Sequence, residues 1–518
     1  MTDSTLEQAL NALPRRFPGP GGAAAVIKDG KILARHAWGY ANAETRLPFT
    51  PASLFRMCSI TKQFTCALLL DAFDDPTALD ADVAACLPNL QEPPPGMLHL
   101  AHNQSGLRDY WAVAMLHGAP IESAFGDEES TRVISGTRSL HFRPGTSYSY
   151  VNQNFRLISD IVQNRLGRSF AELLQARVFD RFGMSRALLA ADTRAMPDGT
   201  QGYEGSEATG YRPAVNNIYW TGDAGLGASL DDMIAWELAI DAQRDDPAGW
   251  YNRLSMPVSF IDGAPARYGF GLQRGRLFGR EMTGHGGALR GWRSHRLHLA
   301  AERLSVVVMF NHMSEAHAAA ATLAAAVLGE TPTPSLGTPG NPHIPGIYLD
   351  SDTGLSARIE AEDARLRVGY TYPPEILENW RDDGAGTDGT RLSLRGEDLW
   401  MERPQENRSG WLKRQIAGEG TLDVAGRFHC DELGAQLSVV NAGGALYGGF
   451  SGMLGLGRME RLQPLSQDLW LLPCLRALDH SPPGAWALSF QRDESGNVTG
   501  ARVGCWLARD LFYRRMSD

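Results

Sequence analysis

With 518 residues, 43% apolar and 9% aromatic, the chain is long enough for two to four separately cored domains. A net charge of −10 and the lack of any basic block exclude a nucleic-acid binder, because phosphate contact needs a concentrated cationic face. No window reaches the ~18 uninterrupted apolar residues a membrane helix requires.

Residues 1–22 lack a basic segment followed by an apolar one, so no secretory signal is read and a cytoplasmic location is expected. Six cysteines (58, 66, 86, 430, 474, 505) are scattered without zinc spacing, and free thiols in a reducing compartment are expected. In "AAAVIKDGKILARHAWGYA" two strand-like runs meet at Asp29-Gly30, a hairpin turn signal. A helix-rich middle follows, with helices predicted over 62–73, 154–166 and 231–241. Strands return near residue 283 in "MTGHGGALRGW" and "SHRLHLAAERLSVVVMFN". Strands at both ends enclosing helices predict an α+β domain whose antiparallel sheet is assembled from both ends of the segment.

A proline-rich linker is expected at 332–342, after a catalytic segment over 1–331. Beyond it helical periodicity fades into short alternating strands. "PGIYLDSDTGLSARI" (345–359) aligns with "AGRFHCDELGAQLSV" (425–439) at an offset of 80, and "DLW" recurs at 398 and 468. A duplicated all-β module accounts for this, as two small antiparallel barrels over 343–420 and 421–518. The alternative is a single β-domain of ~180 residues. The loop 473–484, "PCLRALDHSPPG", is long and proline-stiffened for such a module, a common mark of function.

"CSITKQF" raises the question of chemistry. Ser59 precedes Lys62 by three residues at the start of the helical run, so one turn would bring amine and hydroxyl together. A capping serine followed by a solvated lysine is the simpler alternative. Lysine scarcity counts against it: only four (28, 31, 62, 413) stand among 49 basic residues. A base must be able to lose its proton, which arginine cannot do. Tyr150-Val151-Asn152 and His285-Gly286-Gly287 follow in order. Alone, Tyr150 reads as a packed aromatic and His285 as a structural histidine. A phosphate loop at "GHGG" is set aside because no P-loop lysine follows.

Ser-x-x-Lys, Tyr-x-Asn and a His-Gly-Gly triplet in this order and spacing resemble the penicillin-recognising serine hydrolases, the group of class C β-lactamases and D-alanyl-D-alanine peptidases. "HNQSGLRDYW" (102–111) and "GDAGLGASLDDMIAWE" (222–237) also look like loops of that group. With its duplicated β-modules the chain looks most like the bacterial D-aminopeptidase branch: N-terminal exopeptidases with a catalytic domain and two β-barrels. The resemblance implies Ser59 as acylating nucleophile, with Lys62 and Tyr150 sharing proton transfer and the choice of base open. Asn152 would bind Lys62 or the substrate amide, and the backbone N–H groups of Ser59 and Ala288 would form the oxyanion hole. Gly286 and Gly287 would let a substrate backbone lie along their strand. His285, read as a titratable cation without a neighbouring hydroxyl, would grip a carboxylate poorly, which lowers the case for β-lactamase or carboxypeptidase activity. A substrate amine would instead need a carboxylate, and Asp223 and Asp479 are the candidates. The expected activity is release of N-terminal D-residues, D-alanine first, from small peptides, amides or esters, with no cofactor and no metal. Loop 473–484 would plug the cleft. The alternatives are an esterase, β-lactamase or carboxypeptidase of the same fold, or a non-catalytic binding protein. Whether the chain works as a monomer or a homodimer is left open.

Overall fold

A computed structural model describes residues 2–331, 340–378, 380–478 and 483–517. Helix α1 (Thr2–Arg16) leads into β1 (Gly21–Lys28) and β2 (Lys31–Asn42). Their turn places Asp29 and Gly30 at φ 53° and 71°, the left-handed pair a type I′ hairpin requires. The helical layer includes α2 (Thr61–Ala72), α3 (Tyr110–Leu116), α4 (Asn152–Leu166) and α5 (Leu230–Ala242). The chain then returns through β3 (Leu272–Leu277), β4 (Arg280–Leu289), β5 (Trp292–Leu299) and β6 (Leu304–Phe310), and ends the domain with α6 (Ala316–Leu328).

These strands form one antiparallel sheet in the order β3-β4-β5-β6-β1-β2, with a two-residue strand at each edge. The α+β sheet built from both ends of the segment is therefore present. Its two faces carry different cores. Ala24, Val26, Val306 and Val308 pack towards α1 and α6, whereas Ala23, Ala25, Val307 and Met309 face the helical layer, as period-two alternation demands. A bidentate ion pair fixes that layer: Arg296 on β5 meets Glu237 on α5 at 2.6 and 2.9 Å, both fully buried. Removing either partner would strand a charge in the core, at a cost of about 3–5 kcal/mol.

Two antiparallel barrel-like sheets follow, so a duplicated module holds over the single larger domain. The first closes by pairing its opening strand β7 (Gly346–Asp350) with its last, β8 (Arg408–Gln415). The second repeats this with β9 (Gly426–Cys430) and its last strand, β11 (Ala508–Arg515), which follows β10 (Val498–Cys505). The repeat is chemical as well as topological. An arginine of each last strand covers the aromatic of each first strand: Arg414 over Tyr348 at 4.7 Å and Arg515 over Phe428 at 5.8 Å. The "DLW" match is not part of it. Asp398 opens the next-to-last strand of the first sheet, whereas Leu469 opens a strand three places before the last of the second. The interdomain linker falls mainly on 332–339, outside the described residues.

The modules dock differently. The second shares a continuous apolar core with the catalytic domain, and the first has a core of its own. A buried ionic group joins all three parts: Glu406 accepts from Arg403 (2.7 Å) in its own module and from Trp506 (2.8 Å) and Arg509 (3.3 Å) in the next. Its carbonyl accepts from the Tyr148 N–H of the catalytic domain.

Burial also sets the response to acid. The imidazoles of His117, His298 and His312 are held down at about 4, and those of His285 and His295 at about 3. An unfolded histidine titrates near 6.5. Below that pH the unfolded chain takes protons that the folded chain refuses. Their stability contribution is therefore complete above about pH 6.5 and lost as pH falls towards 4. At pH 5.5 each costs about 1 kcal/mol. The expected result is a Tm on the order of 10 °C lower at pH 5.0 than at pH 7.5 by calorimetry; an unchanged Tm contradicts it.

Candidate active site

Ser59 sits in a single 3₁₀ turn, Cys58–Ile60, directly before α2. The helix has no side-chain cap, so the Ser59 hydroxyl is not spent on capping. Cys58 holds the turn at φ 50° while fully buried, with Sγ on the Arg56 carbonyl at 3.2 Å. A non-glycine residue in that region stores strain, which packing must hold in place. Lys62 is the second residue of α2, one turn beyond Ser59, its side chain without solvent exposure. Nζ is 3.0 Å from Ser59 Oγ, 2.9 Å from Asn152 Oδ1 and 2.8 Å from the Asp223 carbonyl. The capped-helix alternative fails on this geometry, because this lysine is buried against the serine.

Tyr150 completes the group: it lines the same cavity as Ser59, close enough for the serine hydroxyl to act on its phenol. Burial pushes that phenol well above its ordinary value of 10. Lys62 Nζ lies 5.0 Å from the centre of the ring, over its face.

The triplet lies on β4 as expected. Pairing with β3 stops at Gly284, leaving His285 onward without that neighbour. Leu289 faces Trp292 across a two-residue turn, which makes that pair hydrogen-bonded. Alternation then turns the N–H and C=O of Ala288 and Gly286 away from β5, towards the cleft edge. Ser59, Tyr150, Asn152, His285, Gly286, Gly287 and Ala288 all line one cavity of about 740 Å³.

Three expectations are corrected. His285 is not a cation: burial first, then the neighbouring Lys62, holds it down at about 3. Its Nδ1 lies 2.6 Å from the Gly286 carbonyl, which can only accept, so Nε2 receives the Tyr268 hydroxyl at 3.1 Å. The Asp223 carboxylate is fully buried and already holds the Tyr110 hydroxyl (2.6 Å) and the Thr221 N–H (3.1 Å). Its main chain, not its side chain, serves the site. Gly287 is required by the protein rather than by a substrate, since a Cβ there would meet the Met57 carbonyl and Ser294 Oγ at 2.3 Å. Gly286 does face the cleft side. Asp479 lies outside the described residues.

Sequence reasoning missed several cavity residues. Asp109 stands behind Asn152; it falls in the stretch 102–111 noted for its resemblance, where it also reads as a cap before "YWAVAML", but it was not singled out. Tyr372 and Pro373 come from the first β-module, and Pro483, Trp506 and Leu507 from the second. Loop 473–484 does leave its sheet for the catalytic domain on its described side. Arg476 pairs with Glu122 and with Glu204 (2.9 Å), and Arg290 donates to the Ala477 carbonyl at 2.9 Å.

A family model described as Beta-lactamase matches residues 10–329, and another, D-aminopeptidase, domain B, matches 338–514. The sheet, the helical layer and the Ser59–Lys62 centre thus define a serine hydrolase of the β-lactamase fold. A D-aminopeptidase of Gluconobacter oxydans (strain 621H) is 62% identical over 526 residues, covering all of both chains. A D-aminopeptidase of Brucella canis is 44% identical over 513 residues, 99% of each chain. The chain belongs to the D-aminopeptidase family. Among solved structures, the octameric penicillin-binding protein homologue from Pyrococcus abyssi aligns with TM-score 0.53 at 20% identity, over 80% of this chain and 100% of that one. The D-amino acid amidase from Ochrobactrum anthropi SV3 aligns with TM-score 0.53 at 17% identity, over 63% and 99%. At these identities the likeness is one of fold.

The two glycines separate under substitution. Gly287→Ala must push β4 off the Cys58–Ile60 turn and is expected to cut p-nitrophenyl acetate turnover by about 100-fold while lowering the Tm. A Cβ on Gly286 meets His295 Nδ1 at 3.5 Å and the Ser294 carbonyl at 3.8 Å, both ordinary contacts. Gly286→Ala should keep the Tm within about 2 °C and raise KM several-fold. Equal kinetics for the two variants would contradict the assignment.

Proposed function

We propose that the chain releases N-terminal D-amino acids, D-alanine foremost, from small peptides, amides and esters through an acyl-enzyme on Ser59. The observation that carries this reading is the contact of buried Lys62 Nζ with Ser59 Oγ at 3.0 Å. Asn152 Oδ1 and the Asp223 carbonyl can only accept, so they take two of the amine's hydrogens. The third tetrahedral direction of Nζ points at the serine. In the neutral amine that direction is a lone pair, ready to take the Ser59 proton as Oγ attacks the scissile carbonyl. Tyr150, kept protonated by its surroundings, hands a proton to the departing amine; in deacylation its phenolate takes a proton from the attacking water, while Lys62 returns its proton to Ser59 Oγ as the ester breaks. The oxyanion is received by the N–H groups of Ser59 and Ala288, each worth roughly 3 kcal/mol in such a role.

Exopeptidase action is supported by the walls that the two β-modules add to the cleft. A neutral His285 supports amide or peptide substrates over those gripped by a terminal carboxylate. Asp479, which belongs to the segment 473–484 whose residues Arg476 and Ala477 are tied to the catalytic domain, is the proposed partner of the substrate's ammonium group. Preference for the D-enantiomer rests on the names of the relatives. No described helix is long and apolar enough to cross a membrane; a cytoplasmic location is proposed because none of the six cysteines forms a disulfide among the described residues.

The test is turnover of D- and L-alanine p-nitroanilide by the parent enzyme and by a variant lacking 476–482. The parent should favour the D-substrate by at least about 100-fold. The deletion should weaken aminopeptidase activity and admit N-acylated substrates. Equal L-turnover, or a deletion with unchanged selectivity, contradicts the proposal.

A further inference from the structure

The carboxylate closest to the catalytic group in the hydrogen-bond network is Asp109, which is 1% exposed. Its Oδ2 accepts from the Asn152 N–H at 2.7 Å and from Asn152 Nδ2 at 2.9 Å. Its Oδ1 caps α3 by accepting from the Trp111 N–H at 3.0 Å. An asparagine amide has two unlike ends. With Nδ2 committed to Asp109, Oδ1 is turned to Lys62; the reverse orientation would set donor against amine and oxygen against carboxylate. The direction of the Lys62 amine therefore depends on Asp109.

Asp109 is held in turn by the last β-module. Its N–H donates to the Leu507 carbonyl at 2.9 Å, in the turn joining β10 and β11. Its neighbour Arg108 donates through Nε to the Arg509 carbonyl at 2.9 Å and through Nη1 to Glu432 at 2.9 Å. Two consecutive residues of the catalytic domain are thus clamped by one hairpin of the C-terminal module.

We propose that Asp109 is a positioning residue for the proposed reaction, and that the C-terminal module completes the active centre by holding it. The line of contacts runs from the Leu507 carbonyl through Asp109 and Asn152 to Lys62 and Ser59. The module does more than narrow the cleft; it sets the geometry of the base. This inference rests on the Ser59–Lys62 mechanism proposed above.

Asp109→Ser tests it, because a serine still caps α3 but is too short to reach Asn152. On D-alanine p-nitroanilide the expected result is a kcat on the order of 100-fold lower, a KM within threefold and a Tm near the parent's. Asp109→Ser combined with Asn152→Ala should be no slower than Asn152→Ala alone, since both break the same line. A kcat within threefold of the parent, or a double variant slowed by the full product of the single effects, overturns the proposal. Should Asp109→Ser not fold, Asp109→Thr decides. A threonine also caps α3 but is too short to reach Asn152, so kcat should fall at least tenfold; unchanged kcat overturns the proposal. A parent enzyme inactive on the anilide would instead refute the mechanism on which this rests.

Discussion

The structure turns on one buried amine. Placing a lysine where solvent does not reach is costly unless its hydrogens are matched. Lys62 meets this with two obligate acceptors, Asn152 Oδ1 and the Asp223 carbonyl, and one reactive neighbour, Ser59 Oγ. Each acceptor belongs to a different element, so the amine is oriented only when α2, the start of α4 and the loop before α5 are all in register. Gly287 belongs to the same constraint. Without a Cβ it lets β4 close on the turn that carries Ser59, bringing the edge amide of Ala288 to the cavity that holds the nucleophile.

The β-modules extend this logic outward. The second shares the catalytic core and holds Arg108 and Asp109 from behind. The first is attached through polar contacts centred on Glu406, and the indole of Trp506 bridges it to the cleft. Cleft walls supplied by added modules are how one hydrolase fold can serve different substrate ends.

Much of this was legible in the sequence, and the failures share a cause. Ser59 and Lys62 stood out because spacing along a helix and the scarcity of lysine are one-dimensional signals, whereas Tyr150 and Asn152 stood out through the resemblance that the ordered motifs carry. The hairpin at Asp29-Gly30 and the opening strands of the β-repeat were readable for the same reason. Asp223 was assigned by its side chain, whereas the contact belongs to its carbonyl, and no sequence pattern distinguishes the two. His285 was read as a cation because burial, which removes its charge, is a property of the assembled cleft. Asp109 lay within a stretch noted for its resemblance but was not picked out, since its role depends on residue 152 in front and residue 507 behind. "DLW" was a coincidence of letters that strand order exposes.

The central claim is that Lys62 activates Ser59, and rapid-quench intact mass analysis tests it most directly. Mixing the parent enzyme with a D-alanine ester should give a transient mass increase of one alanyl group, mapped by digestion to the peptide carrying Ser59. Lys62→Arg, folded with a similar Tm but unable to accept a proton, should give no such adduct on the same timescale. An adduct formed at the parental rate in Lys62→Arg, or one mapped elsewhere in the parent, would contradict the account.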